Sequence, residues 1–151
     1  MDTPNELAEA FAVAVPFALR EMAGIEAVLR SADSARGAEP FADVSAIIGL
    51  SATCGQWRLV MGFPEATAAA LARRILADAA VELSAEMVRD CMGEVANVVA
   101  GQAKALLVGN PFHFMLSTPT VLAGHAPVAS GSRVVVFDSD VGEFAARLSP
   151  A

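Results

Sequence analysis

The chain is short of cysteine, of basic charge and of long hydrophobic runs, and each shortage excludes something. Only two cysteines occur, Cys54 and Cys91, and neither belongs to a Cys-x-x-Cys pair. Without an export signal, such thiols read as reduced side chains of a cytoplasmic protein. The two histidines, His113 and His125, lie in a turn-rich stretch, and four scattered ligands make a poor zinc site. Lys and Arg number 10 against 17 Asp and Glu, a net charge of −7. A partner held by its phosphate backbone needs a cationic face, so nucleic acid is not an expected ligand. The most apolar early run, Ala10 to Leu19, is ten residues long. A membrane-spanning helix needs roughly 20. No basic start leads into a long apolar core with a small-residue cleavage site, so neither export nor membrane insertion is expected.

What is present is an apolar chain of one domain's length. Of 151 residues, 55% are hydrophobic and 18% charged. That is too apolar for disorder and long enough for a core, so residues 1–151 read as a single domain. The apolar fraction also suggests surface buried against a partner or a second copy.

Hydrophobic periodicity predicts a first helix over residues 5–22, with Leu7, Phe11, Ala14, Val15, Ala18, Leu19 and Met22 on one face. Pro16 interrupts its backbone donors and is expected to kink it, and Gly24 ends it. An extended piece follows from Ile25 to Leu29, then a polar loop from Ser31 to Pro40. Residues 43–51 and 56–63 read as two strands joined around Cys54-Gly55. Pro64 opens a second helix. A third begins after Ser84, a natural N-cap, and runs to about Leu107, where Gly109-Asn110-Pro111 stops it. The remainder reads as strands at His113–Leu116, Thr120–Ala123, Arg133–Asp138 and Gly142–Leu148. Short hairpins favour antiparallel pairing, so the class is α+β, with helices on one face of an antiparallel sheet. A weak internal echo links Met22-Ala23-Gly24 with Val99-Ala100-Gly101, and Gly55-Gln56-Trp57 with Gly142-Glu143-Phe144.

The third helix is the candidate seat of any chemistry. Advancing 100° per residue from Asp90 places Gly93, Glu94, Asn97, Gly101 and Lys104 within about 60° of it. Cys91, Met92, Val95, Val98, Val99 and Leu106 fall on the other side. An ordinary solvated face carries Glu, Lys, Arg and Gln throughout. This one has two interior glycines, each costing about 1 kcal/mol against alanine. Side-chain-free positions let another surface approach the backbone beside Glu94 and Asn97, which project together from positions three apart. The plainer reading stays open: Gly93 and Gly101 accommodate a neighbouring element of the same domain, and Glu94 and Lys104 are surface charges.

The run Gly93-Glu94-Val95-Ala96-Asn97-Val98-Val99-Ala100-Gly101-Gln102-Ala103-Lys104 resembles the signature helix of the CheX/CheC family of chemotaxis phosphatases. Phe17 to Gly24, Asp43 to Ser51, Phe63 to Ala66, Pro119-Thr120-Val121 and Gly142-Glu143-Phe144 resemble other family segments in the same order. The resemblance implies a CheC-like fold and hydrolysis of the aspartyl phosphate of a CheY-like receiver domain. It implies that Asn97 positions the attacking water and that Glu94 pairs with a lysine of the partner. Gly93, Gly101, Lys104 and Asp90 would border the partner. The Mg²⁺ would belong to the receiver domain, leaving this chain with no cofactor or metal of its own. Matching the echo puts Glu94 on Phe17 and Asn97 on Arg20, so the first helix lacks the pair. A single motif is similar to CheX, which implies a homodimer with one active helix per subunit.

Other residues carry weaker signals. Cys91, on the apolar face with no histidine beside it, reads as packing rather than a nucleophile. Cys54 reads as a loop residue, Trp57 as core or dimer surface, and the histidines as loop and strand-edge residues. Asp138-Ser139-Asp140-Val141-Gly142 lacks most of a calcium loop's ligands and reads as a hairpin turn. Two other functions compete with the phosphatase. One is a non-catalytic adaptor that binds receiver domains or the flagellar switch, and the other is a structural dimer module.

Overall fold

The computed structural model describes residues 2–31, 39–77, 80 and 82–151. Most of the expected loop from Ser31 to Pro40 lies outside the described residues. Helix α1 spans Asn5–Ala23 and continues through Pro16. Gly24, at φ 62°, ends it in the left-handed conformation that glycine adopts without a Cβ penalty. Strand β1 is Ala27–Ser31, two residues later than its expected start. The reason is local: the Ile25 N–H donates to Leu19 O at the helix end, and the Glu26 N–H donates to Asp140 Oδ2. Neither donor is free for a ladder, and Ile25 is fully buried.

Strands β2 (Val44–Ala52) and β3 (Gly55–Phe63) form a hairpin in continuous register, from Val44↔Phe63 to Ala52↔Gly55. Helix α2 is Glu65–Leu76. Its first N–H, from Glu65, donates to Asp43 Oδ2 at 2.7 Å, so the residue preceding β2 caps the helix that follows β3. Helix α3 is Ala85–Leu106, capped by Ser84, whose hydroxyl accepts from Met87 N. Strands β4 (Phe114–Leu116), β5 (Thr120–Ala123), β6 (Arg133–Ser139) and β7 (Phe144–Pro150) complete the chain. The last strand starts later than the expected Gly142. Gly142 sits at φ 127° against α2, where a Cβ would collide with the Thr67 hydroxyl. No helix among the described residues is long and apolar enough to cross a membrane.

The strands form one antiparallel sheet in the order β1-β6-β7-β3-β2-β4, with β5 also paired to β2. The strand after α1 pairs with the β6–β7 hairpin, and the strands after α3 pair with the β2–β3 hairpin. Alternation assigns the faces. Ala46, Ile48, Leu50, Trp57, Leu59, Met61, Phe63, Phe144, Ala146 and Leu148 join the buried faces of all three helices in one core. The helices therefore share one side of the sheet, as expected.

The other side is not bare. Val134, Val136 and Ala145 form a small apolar cluster there, and the connection between β5 and β6 crosses it. Ser45 Oγ donates to Gly124 O at 2.7 Å, and Thr3 Oγ1 donates to Gly131 O at 2.8 Å. Arg147, 1% exposed, donates to Ala126 O, Pro127 O and the Glu39 carboxylate. Burying a guanidinium is costly unless its donors are met, and here two carbonyls and a carboxylate meet them.

Candidate functional site

Helix α3 lies on the sheet near its β2–β4/β5 edge. Met92, Val95, Ala96, Val99, Ala100 and Ala103 are fully buried beneath it. This fixes the helix's rotation and turns Asp90, Glu94 and Gly101 outward, all exposed, with Asn97 half-buried beside them. Among the described residues, no side-chain hydrogen bond or ion pair engages Asp90, Glu94 or Asn97. A carboxylate and a carboxamide one turn apart are thus both free to meet something outside the chain. A carboxylate accepts only, whereas a carboxamide both accepts and donates.

The two glycines of this stripe differ. Gly93 is buried, and a Cβ there would come within 3.1 Å of Val121 Cγ2, with Pro119 Cγ at 3.9 Å. Its missing side chain makes room for β5, the same-domain packing that the sequence left open. Gly93 therefore serves internal packing rather than offering an open approach to a partner. Gly101 is exposed, with nothing within 4 Å of where its Cβ would stand, so the backbone is bare there. Lys104 is half-buried and reaches the edge strand, its Nζ 3.6 Å from Met115 Sδ.

The edge strand beside α3 is broken. Leu50 pairs with Leu116 and Ile47 with Thr120, so two residues of β2, Ile48 and Gly49, face three on the edge, Ser117, Thr118 and Pro119. This is a one-residue bulge. The Ser117 hydroxyl holds it, accepting from Gly49 N at 2.8 Å and donating to Thr118 O at 3.3 Å, while Ser117 N donates to Gly49 O. Thr118 is exposed at its tip. The strands expected at His113–Leu116 and Thr120–Ala123 form at Phe114–Leu116 and Thr120–Ala123, and Pro119, which opens one of the family-like segments, ends the gap between them. A proline ending a three-residue gap between short apolar runs was the available signal.

The remaining candidates resolve into structural roles. Cys91 is buried; burial, and then the charge of Asp90, push its thiol pKa up, away from a nucleophile. Cys54 is exposed at the β2–β3 turn, its Sγ 3.2 Å from Pro111 O. Trp57 is 3% exposed and packs edge-on against Phe112, which assigns it to the core. His125 Nδ1 accepts from Ala42 N at 2.9 Å and its ring stacks on Phe41. His113 is half-buried, its backbone N–H donating to Asn110 O at 3.0 Å. The Asp138–Gly142 segment spends its groups on the fold. Asp138 pairs with Arg30, Ser139 Oγ donates to Gly142 O, and Asp140 accepts from Glu26 N. Among the described residues no three His, Cys, Asp or Glu side chains converge on a metal position. On α1, Phe17 is 49% exposed and Arg20 is paired with Glu26. A cavity of about 500 Å³ lies at the start of α3, lined by Val44, Arg73, Leu83, Val88, Arg89 and Ala123 among others, and includes neither Glu94 nor Asn97.

Comparison with known proteins bears on what this stripe is for. The family model "Chemotaxis phosphatase CheX" matches residues 44–138, which include all of α3 and the edge strands. No curated protein matches the sequence. Among solved structures, the CheX chemotaxis protein of Desulfovibrio desulfuricans is 27% identical with a TM-score of 0.82, over 97% of this chain and 99% of that one. The CheX of Vibrio vulnificus is 26% identical with a TM-score of 0.81, over 95% and 98%. A CheX from Borrelia burgdorferi, solved as a complex with CheY, BeF₃ and Mg²⁺, is 21% identical with a TM-score of 0.71, over 93% and 95%. The chain belongs to the CheX family.

Proposed function

We propose that this member of the CheX family of chemotaxis phosphatases accelerates hydrolysis of the aspartyl phosphate on a CheY-like receiver domain, with Asn97 and Glu94 as its working side chains. The observation that carries this is the free pair itself. Two polar side chains stand one turn apart on a rigid, well-buried helix, next to the bare backbone of Gly101, and neither is used by the fold. The Borrelia burgdorferi relative, solved with CheY, supports the choice of partner.

An aspartyl phosphate is a reactive acyl phosphate, so the barrier left to lower is chiefly the placement of a water in line with phosphorus. The Asn97 carboxamide can accept from that water and donate elsewhere, fixing its orientation without acting as a strong base. Its side chain is short, so α3 must come close, and Gly101 leaves the helix bare where it would do so. Glu94 forms an ion pair with a lysine of the receiver domain, which sets the register of Asn97 over phosphorus. Lys104 and Asp90 border the same surface. Mg²⁺ belongs to the receiver domain, and no metal of this chain is needed. The active unit is a homodimer in the cytoplasm, with one such helix per subunit.

The test is the decay of a phosphorylated receiver domain from the same organism in Mg²⁺ buffer. Wild type should accelerate it. Asn97→Ala should lose roughly 10²-fold in rate, about 2.7 kcal/mol of barrier, while still binding the partner. Glu94→Ala should weaken binding as well. Full activity in Asn97→Ala would refute the water-positioning role. Phosphorylation-dependent binding with no acceleration by wild type would identify an adaptor.

A further inference from the structure

The edge strand beside α3 runs alongside the Asn97 stripe. Gly93 lies against Pro119 and Val121, and Lys104 touches Met115. Gly93 and Lys104 are eleven residues apart, which is three turns and about 20°, so they share nearly one line along the helix. Along that line α3 advances about 16 Å at 1.5 Å per residue. The edge chain from Pro119 back to Met115 covers about 13 Å at 3.3 Å per residue. The two segments are therefore side by side and antiparallel over this length. Asn97 is one turn beyond Gly93 and two turns before Lys104, rotated about 30–40° outward from their line. That places it alongside Ser117–Pro119, which is where the bulge occurs.

A bulge at this point has a consequence for the surface. A regular strand would continue the ladder past Gly49 and present a flat edge. Instead the Ser117 hydroxyl ties the Gly49 N–H to the Thr118 carbonyl, and Thr118 is left exposed as an extra residue outside the ladder. Gly49 is suited to the tie, because a Cβ there would stand 3.3 Å from Ser117 Oγ. Pro119, directly after it, is packed down onto Gly93. Ser117 is thereby tied to β2 and Pro119 to α3, one on each side of the tip. Bulges commonly re-aim residues at sheet edges and next to active sites.

Resting on the function proposed above, we infer that the Ser117–Pro119 bulge is the second wall of the receiver-docking surface, with Thr118 touching the receiver domain when Asn97 is seated over the phosphoryl group. Thr118 is a positioning residue: it contributes to binding and register and takes no part in the chemistry. The competing role for such a bulge is to protect the sheet edge from pairing with other chains.

Saturation kinetics of receiver dephosphorylation separate these. Thr118→Trp adds neutral bulk at an exposed position, and Val128→Trp adds the same bulk on the connection that crosses the far side of the sheet, where Val128 is 63% exposed. Loss of a contact made equally in ground and transition states raises KM and spares kcat. Thr118→Trp is expected to raise KM about tenfold, with kcat within about twofold of wild type and an unchanged Tm. Val128→Trp is expected to match wild type. Asn97→Ala, run alongside, should lose kcat. Wild-type KM in Thr118→Trp, with Asn97→Ala inactive, overturns the wall and leaves the phosphatase standing. Deleting Thr118, which restores the regular register, is expected to raise KM in the same way. A deletion variant that self-associates with unaltered KM assigns the bulge to edge protection and refutes the inference. If wild type accelerates no receiver's decay, the inference falls together with the function it rests on.

Discussion

Gly101 offers a way to separate what the fold requires from what the proposed partner requires. It lies five residues inside the end of α3, exposed, with no heavy atom within 4 Å of its would-be Cβ. Glycine in a helix interior costs about 1 kcal/mol against alanine, through backbone entropy. At Gly101 no steric term offsets that, so Gly101→Ala should stabilise the protein by about 1 kcal/mol. For a chain of this length the melting temperature should rise by about 2–4 °C. Arginine is nearly as good a helix former, so Gly101→Arg should be stabilised almost as much. Gly93→Ala is the internal reference. The same propensity gain is opposed there by a Cβ–Val121 contact at 3.1 Å, which forces β5 to give by a few tenths of an ångström, and the net effect should lie near zero. Urea denaturation of the three variants reads these differences, and receiver dephosphorylation reads the other half. If Gly101 is bare so that a receiver domain can approach the backbone, Gly101→Arg should raise KM about tenfold or more while the protein is more stable than wild type. Wild-type kinetics in a stabilised Gly101→Arg would refute the close-approach argument. No stabilisation of Gly101→Ala would refute the reading of this position as open.

Two further outcomes concern the fold. Arg147→Ala should cost about 3 kcal/mol in urea denaturation, because it leaves the half-buried Glu39 carboxylate and two carbonyls without their donor; a loss below about 1 kcal/mol would show that the strap over the sheet does not depend on it. Arg30 holds the Asp138 carboxyl below its ordinary value of 3.8, and a carboxyl whose folded pKa is depressed stabilises the protein above its unfolded pKa and loses that contribution as pH falls through the folded one. Asp138→Asn should therefore melt below wild type at neutral pH, with the gap closing as pH drops under 3.8 and shrinking in high salt, since the pair is exposed; a gap that persists unchanged in acid would exclude this pair as its source.

How much of this was legible in the sequence varies by element. The three helices and the β2–β3 hairpin were readable because each carries a strong local signal: 3.6-residue periodicity, Ser84 as a cap, Gly24 as a stop. The stripe on α3 was readable for the same reason, since a helix's faces follow from its period alone. The two glycines looked alike because their difference is tertiary. Gly93 meets Val121, 28 residues further along, while Gly101 meets nothing. Pro119 signals a break in the edge, but its form as a bulge is legible only from the mismatch between two pairings, Leu50↔Leu116 and Ile47↔Thr120. Arg147 carried no signal in the sequence, because its burial depends on the connection folded across that face from Ala126 and Pro127. Strand ends slipped by one or two residues where a backbone donor was already taken, as at Ile25 and Glu26.

The strand order has a consequence for how the molecule is assembled. Ala27 pairs with Ser139 and Ala46 with Val121, so each edge strand is sequence-remote from the hairpin it borders. The two hairpins meet only at β3 and β7, where Trp57 lies opposite Pro150. A chain cut between α2 and α3 would yield two pieces, each holding a hairpin and an edge strand that belongs beside the other piece's hairpin. Neither could complete its own sheet, and α1 and α3 would each lose the neighbour they bury against. Loop-closure entropy must be spent on these remote pairings before most of the core can form, which favours slow, all-or-none folding over stepwise growth from one end. Helix α3 is then held in place only once the last strand has docked: its exposed stripe is a property of the finished knit, not of the segment that bears its residues.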